Sequence, residues 1–105
     1  MSKEYSLIVV IVDVNQNELV MSLARKAGAT GGTIIRGKGT SIYEKRSFWG
    51  IEINPNKDVV LIISPQERAQ KIVEKINSTM ELEKPTNGIA FIIPLSGVIG
   101  LNDYD

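Results

Sequence analysis

Residues 5–35 read YSLIVVIVDVNQNELVMSLARKAGATGGTII, and this stretch contains the first three predicted elements of the chain. The segment 5–12 is rich in β-branched side chains, which favour a β-strand. Glu18 follows Asn15 at the three-residue spacing of a capping box, and apolar residues then recur with the period of a helix. Gly28 supplies a helix end, and the final Thr-Ile-Ile predicts a second strand. The stretch therefore predicts a strand, a helix and a strand.

Two further strand patterns follow a polar segment. The residues FWGIEI at 48–53 and VVLII at 59–63 are typical of strands, and the NPNK between them at 54–57 is typical of a turn. The charged segment KGTSIYEKRS at 38–47 lacks a helical period. We therefore expect this segment to be an exposed loop that follows the second strand.

The second half continues with a helix and a last strand. Ser64 is a candidate cap, Pro65 suits the first helical position, and Glu67 completes a capping box. The helix continues to Met80, and IAFIIPL at 89–95 predicts the last strand. The order predicts an α+β fold, the ferredoxin-like βαββαβ plait, with a four-stranded antiparallel sheet and both helices on one face.

Composition limits the classes of function. A chain of 105 residues predicts one domain, 1–105, and its 12 basic and 12 acidic residues give no reason to expect a nucleic acid. The chain has no cysteine and no histidine, which lowers the expectation of catalysis and of a metal site. The apolar run at 7–12 is too short for a membrane span or a secretory signal, so we expect a cytoplasmic protein.

The strands do not alternate apolar and polar residues. A sheet covered by helices on one face only should alternate, yet LIVVIV, VVLII and IAFII are apolar at consecutive positions. An uncovered apolar face is rare in soluble monomers, and self-association is the simplest cover. The alternative is a monomer in which Thr33, Glu52 and the tail make the second face of the sheet polar enough to be exposed to water.

The glycine-rich segment 28–40, GATGGTIIRGKGT, has two readings. Its backbone N–H groups could bind an anion, with Arg36 and Lys38 neutralising a phosphate. Alternatively, its glycines end a helix, form a turn and supply a hinge. The pattern matches neither the Walker loop nor the dinucleotide fingerprint, so the residues alone leave both readings open.

A resemblance favours the first reading. GATGGT followed by IIRGKG resembles the P-II nitrogen-regulatory signalling family, as do NGIAFIIPL at 87–95 and the Ser-Pro helix start. The resemblance covers essentially the whole chain and is most specific in TGGT at 30–33. It implies a homotrimer of this plait with the sheets turned inward. It also implies a protein that is not an enzyme, and that binds adenine nucleotides between subunits and regulates an enzyme or membrane transporter through a long T-loop.

Candidate site residues follow from the resemblance and from the charges. Thr33 and Ile63 correspond to residues beside the adenine, Gly37 and Gly39 to the base of the T-loop, and Gly88 to a phosphate loop. With the two nearby cations, the predicted nucleotide-binding residues are Thr33, Arg36, Gly37, Lys38, Gly39, Ile63 and Gly88.

The T-loop would run from Lys38 to about Gly50. Aromatic and arginine side chains are enriched at binding hot spots, so the predicted partner-binding residues are Tyr43, Lys45, Arg46, Phe48 and Trp49. The alternative is that the last two belong to the next strand and pack against the domain.

The chain departs from the family at several phosphate contacts. Ile89 stands in the place of a lysine, Gly100 and Asn102 in the places of two arginines, and no glutamine follows the glycine pair at 37–39. Each lost cation removes a charge-assisted hydrogen bond of roughly 1.5–3 kcal/mol. We therefore expect ATP, ADP or AMP as candidate ligands, without tight binding of Mg-ATP and 2-oxoglutarate.

Three other functions stay open on the sequence. A small acyl-phosphate hydrolase could use Arg36 in a glycine-rich cradle. An RNA-binding plait would stack bases on strand aromatics, where Phe91 is nearly alone. A structural trimer of the copper-tolerance type would need no small-molecule ligand.

Overall fold

The computed structural model describes residues 4–40 and 55–102. The elements in chain order are β1 (Tyr5–Asp13), α1 (Asn17–Lys26), β2 (Thr33–Lys38), β3 (Asn56–Pro65), α2 (Gln66–Met80) and β4 (Ile89–Pro94). This order confirms the predicted βαββαβ arrangement. The strand predicted at 48–53 and most of the predicted T-loop lie outside the described residues.

The four strands form one antiparallel sheet in the order β2-β3-β1-β4. The central strand β1 pairs with β3 on one side and with β4 on the other, and β2 forms the outer edge beside β3. Because β3 lies between β1 and β2, the sheet has the strand order of the ferredoxin-like plait that the sequence predicts.

The hydrophobic core lies between the helices and one face of the sheet. Side chains of a strand alternate between the two faces, so every second residue of β1 and β3 faces the helices. The strand residues buried there are Ile8, Val10, Val12, Val60 and Ile62. They pack against the buried faces of α1 and α2 in one continuous cluster. This packing holds the sheet and the helices in fixed positions relative to each other.

The opposite face of the sheet is apolar, and neither of the described helices packs on it. We call it the open face; by register its members are Leu7, Val9, Ile11, Thr33, Ile35, Val59, Leu61, Ile63, Ile89, Phe91 and Ile93. Ile35 is 48% exposed, Ile89 54%, Phe91 40% and Ile93 41%. The missing alternation in the sequence therefore corresponds to a second apolar face, which also carries the polar residue Thr33.

Strand β3 begins earlier than the sequence predicts. The NPNK segment was predicted to be a turn, but Asn56 pairs with Lys38 and Lys57 with Asp13 in the ladders. The turn prediction is therefore wrong at these two residues. Partner strands on both sides supply hydrogen bonds that outweigh the turn preference of the local sequence.

Both predicted capping boxes are also wrong. The cap residue of α1 is Gln16 rather than Asn15, and the cap residue of α2 is Pro65 rather than Ser64, each without a side-chain capping bond. Ser64 is still part of β3, and its hydroxyl donates to the Pro65 carbonyl at 3.0 Å. The serine lies one residue too early to cap the helix.

Candidate ligand-binding cleft

A cleft of about 390 Å³ opens at one end of the sheet. Here β1 and β2 end, and β3 and β4 begin, because neighbouring strands are antiparallel. The cleft is lined by Ile11, Val12, Asp13, Gly39, Thr40, Lys57, Thr86, Gly88 and Ile89. Its wall thus combines apolar strand residues with polar groups from the strand ends.

An ion pair between Lys57 and Asp13 forms the polar part of the wall. The two residues are directly opposite in the β1–β3 ladder, and Lys57 Nζ donates to Asp13 Oδ1 at 2.7 Å. The lysine side chain is only 10% exposed, whereas the aspartate side chain is 60% exposed. The carboxylate therefore meets solvent at the cleft, with the ammonium group behind it.

Gly39 leaves room for the stem of this lysine. A Cβ atom at Gly39 would lie 3.2 Å from Lys57 Cγ, which is closer than ordinary packing allows. The Gly39 backbone N–H donates to the Pro55 carbonyl at 2.9 Å, which ties the end of β2 to the start of β3. Packing against Lys57 therefore favours glycine at position 39, whether or not a ligand contacts it.

The loop from α2 to β4 closes the other side of the cleft. Gly88 has φ +133°, and a Cβ atom there would lie 2.7 Å from the Ile11 carbonyl oxygen. Thr86 also has positive φ, at 70°. The Asn87 side-chain amide donates to the carbonyls of Met80 and Glu81 at 3.0 Å each and fastens the loop to the end of α2. The backbone conformation of this loop and its contact with Ile11 therefore require glycine at position 88.

The structure brings some of the predicted nucleotide residues together and not others. Gly39 and Gly88 line the same cleft. Thr33 and Ile63 lie on the open face, farther along the sheet. At about 3.3 Å per residue, Thr33 is separated from Gly39 by roughly 20 Å of extended chain. Within one chain, therefore, the two residues assigned to the adenine are separate from the two cleft glycines.

Arg36 faces away from the cleft. Its Nε donates to Asp58 Oδ1 at 2.8 Å on the helix side of the sheet. Lys38 follows two residues later on the same side of β2, whereas Gly37 lies opposite Lys57 on the cleft side. The charges predicted to neutralise a phosphate are therefore on the other face from the cleft glycines.

Asp58 is a buried carboxylate that the sequence reasoning missed. Its Oδ2 accepts hydrogen bonds from the Asn15 and Asn17 backbone N–H groups, at 2.8 and 3.3 Å, and from the Asn17 side chain at 2.8 Å. Burial alone would raise its pKa, but the bonds from Asn17, Arg36 and Asn15 and the charge of Arg36 hold the pKa below its ordinary value of 3.8. It therefore caps α1 from another element.

Asp13, Lys57 and Thr86 were also missed as cleft residues. One signal for the first two is present in the sequence, since opposite charges stand at the end of LIVVIV and just before VVLII. The predicted partner-binding residues Tyr43, Lys45, Arg46, Phe48 and Trp49 lie outside the described residues. Neither described helix is long and apolar enough to cross a membrane.

Comparisons with known proteins agree with this architecture. The family model described as nitrogen regulatory protein P-II matches residues 5–103. No curated protein matches the sequence at a significant level.

Solved structures match the fold at low sequence identity. A putative PII-like signalling protein of Thermus thermophilus has TM-score 0.66 and 15% identity, covering 89% of this chain and 88% of its own. CPII of Thiomonas intermedia, bound to ADP, AMP and acetate, has TM-score 0.65 and 18% identity, over 89% of this chain and 87% of its own. Arabidopsis thaliana PII bound to citrate has TM-score 0.69 and 18% identity, over 95% of this chain and 82% of its own.

The family match and the structural matches each extend over most of this chain. The structures below 25% identity show the fold, and the match of the family model over residues 5–103 shows the membership. This chain therefore belongs to the family of the nitrogen regulatory protein P-II.

Proposed function

We propose that this chain is a non-enzymatic, ligand-sensing regulator of the cytoplasm. As a homotrimer it binds an adenine nucleotide or a related small molecule in the cleft at the Gly39 and Gly88 end of the sheet. Through the loop from Lys38 to about Gly50 it regulates a partner enzyme or membrane transporter. The family to which it belongs is one of regulatory signalling proteins.

One observation carries the proposal: Gly39 and Gly88, far apart in the sequence, line one cleft. The resemblance assigned the first to the base of the T-loop and the second to the phosphate loop. Gly88 has φ +133°, a conformation that favours glycine, and it lines the cleft, so its backbone can approach a ligand without a side chain between them.

Two similar structures give the class of ligand its support. CPII of Thiomonas intermedia was solved with ADP, AMP and acetate, and Arabidopsis PII with citrate. All of these are small anions, and a cleft of about 390 Å³ is within the range of small-molecule sites.

The open face supports assembly into a trimer. Ile11 and Ile89 belong both to the open face and to the wall of the cleft. A second copy packed on this face would therefore lie beside the cleft and contribute to it. In such an arrangement Thr33 and Ile63 of the open face could serve the site across the subunit boundary.

Calorimetric titration with adenosine, AMP, ADP and ATP tests the ligand class. Ile89→Lys places a cation where the family has one, at a position that is exposed in the single chain and lines the cleft. Because Ile89 also belongs to the open face, size-exclusion chromatography with light scattering first establishes that the variant assembles as the wild type does. If nucleotide phosphates occupy the cleft, the added charge-assisted hydrogen bond should strengthen binding about tenfold or more.

Ile34→Lys is the matched control, because it adds the same charge at an exposed isoleucine on the helix side of β2 that does not line the cleft. It should leave the dissociation constants unchanged within about twofold, since a distant exposed charge is screened by salt. Equal gains from both variants, or no binding of any nucleotide, would contradict the proposed ligand class.

A further inference from the structure

The described wall of the cleft is balanced in charge. Among the residues that line it in the described part of the chain, Lys57 contributes one positive charge and Asp13 one negative charge. They are joined at 2.7 Å. An approaching anion therefore meets a lysine whose field is largely offset by its own partner.

Two cations close to this end of the sheet are offset in the same way. Lys84, in the loop after α2, pairs with Glu81 at 3.0 Å. Arg36 pairs with the buried Asp58 at 2.8 Å. Neither is a member of the cleft wall. These pairs add no excess positive charge that would compensate Asp13. Lys38, at the end of β2, is not a member of the cleft wall and lies on the same side of that strand as Arg36.

Asp13 is the more accessible partner of the cleft pair. Its side chain is 60% exposed, against 10% for Lys57, so a ligand group entering the cleft meets the carboxylate. The position of the carboxylate therefore bears directly on which ligand groups can enter the cleft.

We propose that Asp13 is a specificity-determining residue that selects ligands of low negative charge and disfavours polyphosphates in this cleft. This inference rests on the proposed ligand site. Each further negative charge on the ligand adds a repulsion from Asp13 without adding a new cation from the described wall. The preferred class is therefore an uncharged or singly to doubly charged nucleoside or nucleotide.

The test compares adenosine, AMP, ADP and ATP on the wild-type protein and on Asp13→Asn in magnesium-free buffer. Asparagine keeps the shape of the side chain and an oxygen that can accept from Lys57, but removes the charge. Adenosine should bind both proteins equally within about twofold. The gain in affinity should rise by about threefold or more for each added ligand charge, and it should shrink at high salt.

Glu67→Gln is the matched control, because it removes one negative charge from the exposed first turn of α2, at the opposite end of the sheet. It should change none of the four affinities by more than about twofold. Thermal melting of each variant establishes that the fold is retained.

The outcomes separate this inference from the proposed function. Binding of the nucleotides with equal gains for all four ligands, or a wild-type protein that prefers ATP to AMP, overturns the role of Asp13 and leaves the ligand site in place. No binding of any of the four to either protein overturns the proposed ligand class and this inference with it.

Discussion

Asp58 connects three parts of the molecule through one buried carboxylate. It is 0% exposed, and it binds the start of α1 with one oxygen and Arg36 of β2 with the other. The N–H group of Asn17, the first residue of α1, would otherwise lack a partner within the helix. A negative charge at this helix end is also favoured by the helix dipole.

Replacing Asp58 by asparagine should lower the free energy of unfolding by about 1–3 kcal/mol. The amide retains one acceptor oxygen for α1 but leaves Arg36 without its carboxylate. Urea unfolding at neutral pH measures the change. Glu81→Gln breaks an exposed ion pair with Lys84 and should cost no more than about 0.5 kcal/mol. Equal losses in the two variants would contradict the capping role of Asp58.

The same carboxylate predicts a pH dependence. The pKa of Asp58 is lowered in the folded protein, so its contribution to stability is fully present above the pKa of the unfolded chain. The contribution is lost as the pH falls from the ordinary value of 3.8 through the lower folded pKa. The wild type should therefore lose stability more steeply in acid than Asp58→Asn does, as measured by unfolding between about pH 5 and pH 2.

At the scale of elements, the approach to β2 explains part of the glycine-rich segment. A Cβ atom at Gly32 would lie 2.8 Å from Met21 Sδ and 3.1 Å from the Leu61 carbonyl oxygen. Gly31, the preceding residue, has nothing within 4 Å of the same position. One of the two adjacent glycines is therefore required by packing between α1 and the sheet, and the other is not.

Gly32→Ala should lower the free energy of unfolding by about 1–3 kcal/mol, because the backbone of β3 cannot move aside without disturbing the ladder. Gly31→Ala should be neutral or stabilise by up to about 1 kcal/mol, through the lower entropy of the unfolded chain. Chemical unfolding of the two variants gives both values. A larger loss from Gly31→Ala than from Gly32→Ala would show that the close approach does not constrain β2.

The order of strands and helices could be predicted from the sequence, but the side chain that accepts hydrogen bonds at the start of α1 could not. The β-branched runs and the helical spacing of apolar residues indicated the order of strands and helices, because these patterns depend on local sequence. The start of α1 depends on Asp58, which lies 41 residues after Asn17. A capping motif in the sequence has no information about an acceptor supplied by a distant strand.

At the scale of the whole molecule, the open face should be the surface on which copies assemble. Ile35 and Ile34 are neighbours on β2 with similar exposure, 48% and 45%, but they lie on opposite faces of the sheet. Ile35→Glu places a charge on the open face. It should shift the protein from the proposed trimer to a monomer, because burying an unpaired carboxylate costs several kcal/mol.

Ile34→Glu is the matched control, since it adds the same charge at the same edge strand on the helix side. It should leave the trimer intact. Size-exclusion chromatography with light scattering distinguishes the two results. A monomeric wild-type protein at micromolar concentration, or equal dissociation by both variants, would contradict assembly through the open face.

The candidate site was less predictable from the sequence than the fold. The two cleft glycines came from a resemblance, whereas Lys57 and Asp13 meet only through the register of β1 and β3. A shift of one residue in that register would place Lys57 on the other face. Register depends on the packing of the whole sheet, so a local sequence motif cannot show that Lys57 and Asp13 form a pair.

Ile11 and Ile89 have a further consequence, because each faces both the bare side of the sheet and the cleft. In the proposed trimer, whatever tightens the contact between copies also completes the pocket, and an occupied pocket in turn holds the copies together. The two equilibria are then linked, and the free energy that one gains is shared equally by the other. Dilution of the protein would lower its affinity for the small molecule. The concentration of the protein in the cell would then help to set the ligand concentration to which it responds.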